Sequence, residues 1–343
     1  MRASIKDMTT GKPLPLIISF ALPLMVGNIF QQLYTVVDTM VVGKALGVDA
    51  LAALGATDWL YWMMLGMIQG VTQGFGILMA REFGAKQYES LRAVVGSSTS
   101  LSAVSSVLFL ILGQAVAKPI LVLLNTPAEI MGGSLLYLRI MFLGIPVVMA
   151  YNLLATILRS LGDGQTPLYA MIVAALSNII LDLLFVLVFH WGIAGAAIAT
   201  LIAQGISSVY CLIKIRKIEF MTLKKAHFSL NPAMAGRLLS LGSPMAAQNA
   251  IIAVGGMIIT AVVNGLVVHR RIAQIILGQV ENQKALFFQT VVQVKDLILE
   301  SGKGINPGQV CYISFHNFSG SPLEDCHAEN RIIGAILSDL FRC

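Results

Sequence analysis

A single carboxylate inside a long apolar stretch constrains this chain more than any other feature. The stretch runs from Leu14 to Gly43, and the carboxylate belongs to Asp38. About 20 apolar residues in a helix cross the hydrocarbon core of a bilayer, and an Asp at the centre costs on the order of 3 kcal/mol. An acid that is kept at this cost indicates a functional site that faces protein or water. We therefore expect a membrane helix that carries a functional acid.

Polar residues continue along the same predicted face of this helix. Steps of three or four residues back from Asp38 reach Tyr34, Gln31 and Asn28. We interpret this stripe as one wall of a substrate pathway. The alternative is a polar seam that hydrogen-bonds neighbouring helices. The acid favours the first interpretation.

The whole chain has the composition of a polytopic membrane protein. Hydrophobic residues make up 57% and charged residues 12% of its 343 residues, a balance that excludes an ordinary soluble globule. The Lys and Arg residues lie in short connections, which argues against a nucleic-acid partner. The four cysteines show no CxxC or Cys/His spacing, so we expect neither a disulfide framework nor a cysteine metal centre. Seven spans are predicted, at residues 15–37, 51–74, 94–114, 133–156, 167–189, 193–213 and 238–263.

Basic residues concentrate in alternate connections between these spans. The connection at residues 214–237 is the most basic one, and by the positive-inside rule this connection and the N-terminus face the cytoplasm. The first apolar segment is too long for a signal-peptide core, so we expect it to stay in the mature protein. Arg139 is an exception to the pattern, because it lies inside the fourth predicted span near its outer end.

A second acid lies inside the fifth predicted span. Asn178 and Asp182 are four residues apart, so their side chains leave a helix in the same direction. The sixth span offers Thr200 and Gln204 on one face. Asp163 precedes the fifth span in a Gly-rich turn, where we expect a plain turn residue.

The seventh predicted span repeats the first. Ser19, Pro23 and Asn28 have the same spacing as Ser240, Pro244 and Asn249. Many secondary transporters are built from repeated helical bundles around a central site. We therefore predict an N-terminal six-helix lobe at 1–213, a basic cytoplasmic linker at 214–237 and the first helix of a second lobe at 238–264.

The rest of the chain, residues 265–343, does not continue this pattern. Its apolar pieces are shorter than a membrane span, charges interrupt them, and no helical or strand period persists. We interpret this tail as out-of-frame translation of a gene that encoded further helices. A soluble C-terminal domain is the alternative, although so little patterning would make a poor core.

Taken together, the spans, the repeated helix and four stretches resemble the multidrug and toxic compound extrusion (MATE) family of efflux transporters. The resemblance covers about residues 8–265, and its stretches are FALPLMVGNIFQQLYTVVDTMVVGKALGVDALAALG, YLRIMFLGIP, LRSLGDGQTP and SNIILDLLFV. It implies an all-α integral membrane bundle of two six-helix lobes, of which this chain has one lobe and the first helix of a second, inverted-V lobe. It also implies export of cationic or amphipathic compounds in exchange for Na⁺ or H⁺. The protein would be a multi-pass protein of the cell (plasma or inner) membrane and not an enzyme.

The resemblance also assigns roles to residues. The cation site of the N-terminal lobe would consist of Asp38, Asn152, Asn178, Asp182 and Thr200. Pro23 matches the proline at which the first helix of the family bends.

Physical chemistry supports such a site independently of the resemblance. Sodium prefers oxygen ligands, which Asp38, Asn178 and Asp182 would supply, and two close carboxylates can alternatively share a proton. No other cofactor is expected. Cation binding would then expel a drug held near Asn28, Gln31 and Tyr34.

Other functions are also compatible with parts of the sequence. An intramembrane aspartyl protease also pairs two acids, but it needs a GxGD motif that Asp182 lacks. A lipid-linked sugar flippase of the wider superfamily would need intramembrane cations, for which only Arg139 qualifies. A third alternative is a nonfunctional frameshifted fragment of a transporter. Self-association is not decided by the sequence.

Overall fold

The structure, a computed structural model, describes residues 13–229 and 231–265. This part of the chain is helical and contains no strand. The predicted tail lies outside the described residues except for Gly265. The eight α-helices of the described part are α1 (Pro13–Leu46), α2 (Val48–Gly84), α3 (Tyr88–Leu123), α4 (Ala128–Leu143), α5 (Ile145–Ser160), α6 (Gln165–Asp182), α7 (Gly192–Arg216) and α8 (Pro232–Gly265). A π-helical turn, Leu183–Val188, extends α6, and two 3₁₀ turns, Glu219–Met221 and Lys225–Phe228, lie between α7 and α8.

The predicted all-α membrane architecture is confirmed. Within the described residues, five helices are long and apolar enough to cross a membrane, and α4 with α5 forms a sixth such unit that is bent by 49°. The fourth predicted span was expected as one helix. It is broken because Pro146, in the first turn of α5, has no backbone N–H to donate to the preceding turn. The arrangement of lobes stays a prediction.

Helices α1 and α2 form a tight hairpin. Gly47, the single residue between them, has a φ of +84°, a left-handed conformation that is open to glycine and strained for other residues. The hairpin therefore places the end of α1 beside the start of α2.

Helix α2 packs along α8 through a row of glycines. Gly66, Gly70 and Gly74 are four residues apart, and so they lie on one face. A Cβ atom built on Gly70 would come within 2.3 Å of the backbone nitrogen of Ala246. The Nδ2 atom of Asn249 also donates to the carbonyl oxygen of Gly66 at 2.9 Å. Small residues allow this close helix contact, which is typical of membrane bundles.

The basic linker is fastened to the start of α3. We call residues Phe220–Ser229 the linker strap. The ring of Phe220 lies 4.9 Å from that of Tyr88, measured between centroids. Arg92 Nε donates to the carbonyl oxygen of Phe220 at 2.8 Å, and Ser100 Oγ donates to that of Phe228 at 2.7 Å. The linker strap is thus bonded to α3 at both ends.

Asp163 caps the start of α6 from a fully buried position. Its Oδ1 atom accepts hydrogen bonds from the backbone N–H groups of Gln165 (3.1 Å) and Thr166 (2.9 Å), and its Oδ2 atom accepts one from Thr166 Oγ1 (2.6 Å). The side chain is 0% exposed. The first N–H groups of a helix have no partner within it, so a buried acceptor here stabilises the turn. Asp163 is a turn residue, as predicted, and also a helix cap.

We expect Asp163→Ala to destabilise the chain by about 2 kcal/mol, because three donors lose their acceptor and two of them are backbone groups in a buried turn. The measurement is the melting temperature of the purified chain in detergent. Thr166→Val removes only the side-chain donor and should cost less. Replacing the exposed Glu219 by Ala serves as the control. An Asp163→Ala variant as stable as this control would contradict the cap.

Candidate functional site

The two intramembrane acids meet although they are far apart in sequence. Asp38 lies on α1, and Asp182 is the last residue of α6 before the π-helical turn. Their carboxyl groups lie within hydrogen-bonding reach of each other. Asp182 is 0% exposed and Asp38 is half-buried. The pair sits where α1 packs against α6.

Three of the four carboxylate oxygens of the pair find no hydrogen-bond donor among the described residues. Both carboxylate oxygens of Asp182 and the Oδ1 atom of Asp38 are buried and accept no hydrogen bond. Two ionised carboxylates in contact repel each other, and burial without donors adds a desolvation cost. The pair therefore requires a proton or a cation to become neutral. This requirement is the main chemical property of the site.

Further oxygen atoms lie next to the pair. Asn178 is one helical turn before Asp182 on α6, and its Nδ2 atom donates to Thr200 Oγ1 on α7 at 3.3 Å. Both side chains are buried, and Asn178 Oδ1 accepts no hydrogen bond from a described donor. Carboxylate, amide and hydroxyl oxygens are hard ligands of the kind that alkali cations prefer. The donor set fits a sodium ion as well as a shared proton.

Asn152 does not join these contacts directly. It lies half-buried on α5, and its Nδ2 atom donates to the carbonyl oxygen of Val148 in the same helix at 2.8 Å. The structure therefore brings four of the five predicted cation-site residues together. The place of Asn152 in the site stays a prediction.

A cavity of about 50 Å³ lies beside Asn178 and Thr200. One ordered water occupies about 15 Å³ measured in this way, so the cavity holds a few waters or a small ion. Drug-sized ligands need several hundred Å³. The lining residues come from α1, α5, α6 and α7 and are Gln31, Tyr151, Met171, Ala174, Asn178, Thr200, Ala203, Gln204 and Ser207.

The predicted pathway residues on α1 differ in their positions. Gln31 lines the cavity, whereas Asn28 is half-buried and does not. The side chain of Tyr34 lies outside the described residues. Helix α1 continues through Pro23 without a break in its residue range, and bending at this proline stays a prediction.

Two polar residues of this region were not assigned to a site from the sequence. The Oε1 atom of Gln204 is buried in the cavity wall and accepts no hydrogen bond from a described donor. Asp58 lies half-buried on α2 and interacts electrostatically with Asp38. Asp58 is an acid inside an apolar span, which is the same signal that identified Asp38. That signal was sufficient to find it.

Arg139 does not belong to the site. Its side chain is exposed on the outside of the bundle, and its backbone carbonyl accepts a hydrogen bond from Gln114 Nε2 at 2.8 Å. It is absent from the lining of the cavity. The cation that a flippase site would need therefore faces away from the acids.

Comparison with known proteins gives relatives of one kind. The model of the MatE family matches residues 23–184. The probable multidrug resistance protein YpnP of Bacillus subtilis (strain 168) is 32% identical over 263 residues, which are 75% of this chain and 58% of that protein. The multidrug export protein MepA of Staphylococcus saprophyticus is 23% identical over 247 residues, which are 72% of this chain and 55% of that protein. The chain thus spans a little over half the length of the curated relatives it matches.

Solved structures share the fold. An inward-facing conformation of a multidrug resistance MATE family transporter of the MOP superfamily matches with a TM-score of 0.70 at 20% identity, over 82% of this chain and 63% of that one. A MOP superfamily transporter from Pyrococcus furiosus, described as having a binding pocket of reverse polarity, matches with a TM-score of 0.68 at 20% identity. This second match covers 94% of this chain and 78% of the other one. At this identity the two structures show the fold alone.

Proposed function

We propose that the described helices form the cation-binding part of a cation-coupled antiporter of the MatE family, whose model matches residues 23–184. The observation that carries this proposal is the contact between Asp38 and Asp182, whose buried oxygens lack donors. Such a pair needs a positive charge, and the membrane interior offers none except a bound cation or proton. The coupling ion is accordingly Na⁺ or H⁺.

A sodium ion would be held by Asp38, Asp182, Asn178 and Thr200. These four side chains come from three helices, α1, α6 and α7. Cation binding would remove the repulsion between the two acids and so favour a closer packing of α1 against α6. If the drug favours the opposite arrangement, the two ligands exclude each other, which is the condition for exchange. The organic substrate would be a cation or an amphipathic compound.

The substrate would bind outside the small cavity that Gln31 and Asn178 line. That cavity is too small for a drug, and in a two-lobe transporter substrates bind where the lobes meet. We propose residues 1–213 as the first lobe, 214–237 as its linker and 238–264 as the first helix of the second lobe. A multi-pass position in the plasma or inner membrane with a cytoplasmic N-terminus completes the proposal.

The test uses the full chain reconstituted in liposomes. A sodium or proton gradient is imposed, and the movement of a fluorescent organic cation is followed with the gradient intact and after an ionophore has collapsed it. We expect dye movement that depends on one of the two gradients. Dye movement that is independent of both gradients, or no movement at all, would contradict antiport by this chain.

The alternative functions have less support. The family is one of transporters, which removes the main reason to consider a protease. The flippase alternative lacks an intramembrane cation near the acids, since Arg139 is exposed. The fragment hypothesis concerns residues 265–343, which lie outside the described residues apart from Gly265. The fragment hypothesis predicts that no dye moves in the liposome test.

A further inference from the structure

A buried apolar cluster lies at one end of the bundle, about one helical turn from the acids. We call it the apolar plug; it joins the end of α1, the start of α2, the π-helical turn and the start of α7. Its members are buried and are Val42, Ala50, Leu54, Val186 and Ala196. By the positive-inside rule this end faces away from the cytoplasm.

A polar residue lies about one helical turn below the apolar plug on each of the four elements. On α1, Asp38 is four residues before Val42, and near the π-helical turn Asp182 is four residues before Val186. Residues four apart share a face of a helix. Val42 and Val186 of the apolar plug thus each have an acid one helical turn away on the same face.

The same relation holds on the two helices that run in the opposite direction. On α7, Thr200 follows Ala196 by four residues, and on α2, Asp58 follows Leu54 by four residues. We call Asp38, Asp58, Asp182 and Thr200 the polar layer. Three of its members belong to the proposed cation site. Asp58 is the fourth member and is not one of the proposed ligands.

Asp58 lies near Asp38. Val42 and Leu54 belong to the same buried cluster, and Asp38 and Asp58 lie one helical turn from them on α1 and α2, while Asp38 also lies within reach of Asp182. Asp38 therefore stands between the other two acids. Within the described part of the chain, no three acidic, His or Cys side chains are arranged to hold one metal ion. Asp58 is thus close enough to influence the pair without sharing a ligand sphere with it.

Asp182 is the buried and unsatisfied member of the polar layer. This side chain is 0% exposed, points at Asp38, and neither of its oxygens accepts a hydrogen bond from a described donor. An acidic layer that contains such an acid is set up to receive a positive charge. A third carboxylate nearby makes the layer less stable when it is empty and more attractive to a cation.

We propose that Asp58 is a positioning residue for the coupling cation, and that its negative charge strengthens cation binding by the Asp38–Asp182 pair. This proposal rests on the proposed function. If Asp58 had a purely structural role, the expected results would be different. Removal of its charge would then lower the stability of the empty chain and leave cation affinity unchanged.

The experiment measures the melting temperature of the purified full chain in detergent. One series titrates sodium chloride against choline chloride at constant ionic strength, and the other varies pH in choline buffer. The variants are Asp58→Asn, which removes the charge, and Asp58→Glu, which keeps it. Glu129→Gln is the matched control, because Glu129 is an exposed acid at the start of α4, at the same end of the bundle.

We expect Asp58→Asn to weaken binding about tenfold for whichever cation stabilises the unsubstituted chain, since one nearby charge changes ion affinity by about this factor. Without that cation, the variant should melt at a higher temperature than the unsubstituted chain. Asp58→Glu should restore most of the affinity, and Glu129→Gln should change neither quantity.

Two results would overturn the proposal in distinguishable ways. If the unsubstituted chain responds to a cation but Asp58→Asn binds it equally well or melts lower without it, only the proposal for Asp58 fails. If neither sodium nor protons stabilise the unsubstituted chain, the proposed function fails together with this inference.

Discussion

Asp182→Asn is expected to abolish cation binding by this chain. Asp182 is fully buried, contacts Asp38 and has no hydrogen-bond donor of its own among the described residues. An Asn in its place carries no charge, and its Nδ2 atom can donate to the Oδ1 atom of Asp38. The repulsion between the two contacting carboxylates is then removed. We expect a loss of affinity of more than about a hundredfold, because a charged ligand with direct contact is replaced by a neutral one.

The same variant should be more stable than the unsubstituted chain when no cation is present. The repulsion between two buried carboxylates is replaced by a hydrogen bond, which is worth about 1.5–3 kcal/mol when one partner is charged. The measurement is the melting temperature in choline buffer and its shift with sodium or with pH. Glu219→Gln, at an exposed acid outside the α-helices, is the control. Asp38→Asn should behave in the same way as Asp182→Asn, and a variant of either residue that kept its cation response would remove the basis of the site.

Gly70→Leu is expected to separate α8 from α2. Even a Cβ atom at this position would lie within 2.3 Å of the backbone nitrogen of Ala246, and a backbone atom cannot move aside as the end of a side chain can. Helices in membranes associate mainly through such close packing. Inserting a side chain into a packed contact costs about 1–3 kcal/mol or more. We therefore expect a lower melting temperature and a wider spacing of the two helices.

The spacing can be measured directly with spin labels at two exposed positions near the same end of the helices. Arg81→Cys lies in the last turn of α2 and Arg237→Cys in the first turns of α8, and both are introduced into a chain whose four own cysteines are replaced by Ser. Pulsed electron spin resonance then gives the distance between the labels with and without Gly70→Leu. The control is Gly255→Leu, because a Cβ atom at Gly255 on α8 meets nothing within 4 Å. An unchanged distance in the Gly70 variant would show that the glycine row does not hold the helices together.

The features that could be predicted from the sequence are those with a local signal. The membrane helices follow from apolar length, and Asp38 and Asp182 follow from the cost of an acid in an apolar segment. The i, i+4 spacing of Asn178 and Asp182 is sufficient by itself to place both side chains on one face of α6. Asp58 carries the same local signal as Asp38 and could have been predicted by the same rule.

The contacts between elements had no such signal. The pairing of Asp38 with Asp182 depends on how α1 packs against α6, and no periodicity in one segment specifies its neighbour. The glycine row of α2 can be recognised in the sequence, but nothing in the sequence indicates that it packs against Ala246 on α8. The linker strap depends on donors such as Arg92 and Ser100 reaching backbone carbonyls. Every residue has such a carbonyl, so composition cannot indicate which one is used.

The linker strap also limits how far α8 can travel. Ser97 Oγ reaches the carbonyl oxygen of Ser229 at 3.5 Å, and α8 begins at Pro232. Three residues of extended chain reach about 10 Å. The first turn of α8 is therefore tethered close to α3, whatever the rest of α8 does. If α8 moves away from α2, it must rotate about its first turn, at the linker end. The displacement would then be largest near Trp59 and Gly256, at the far end of the contact between the two helices.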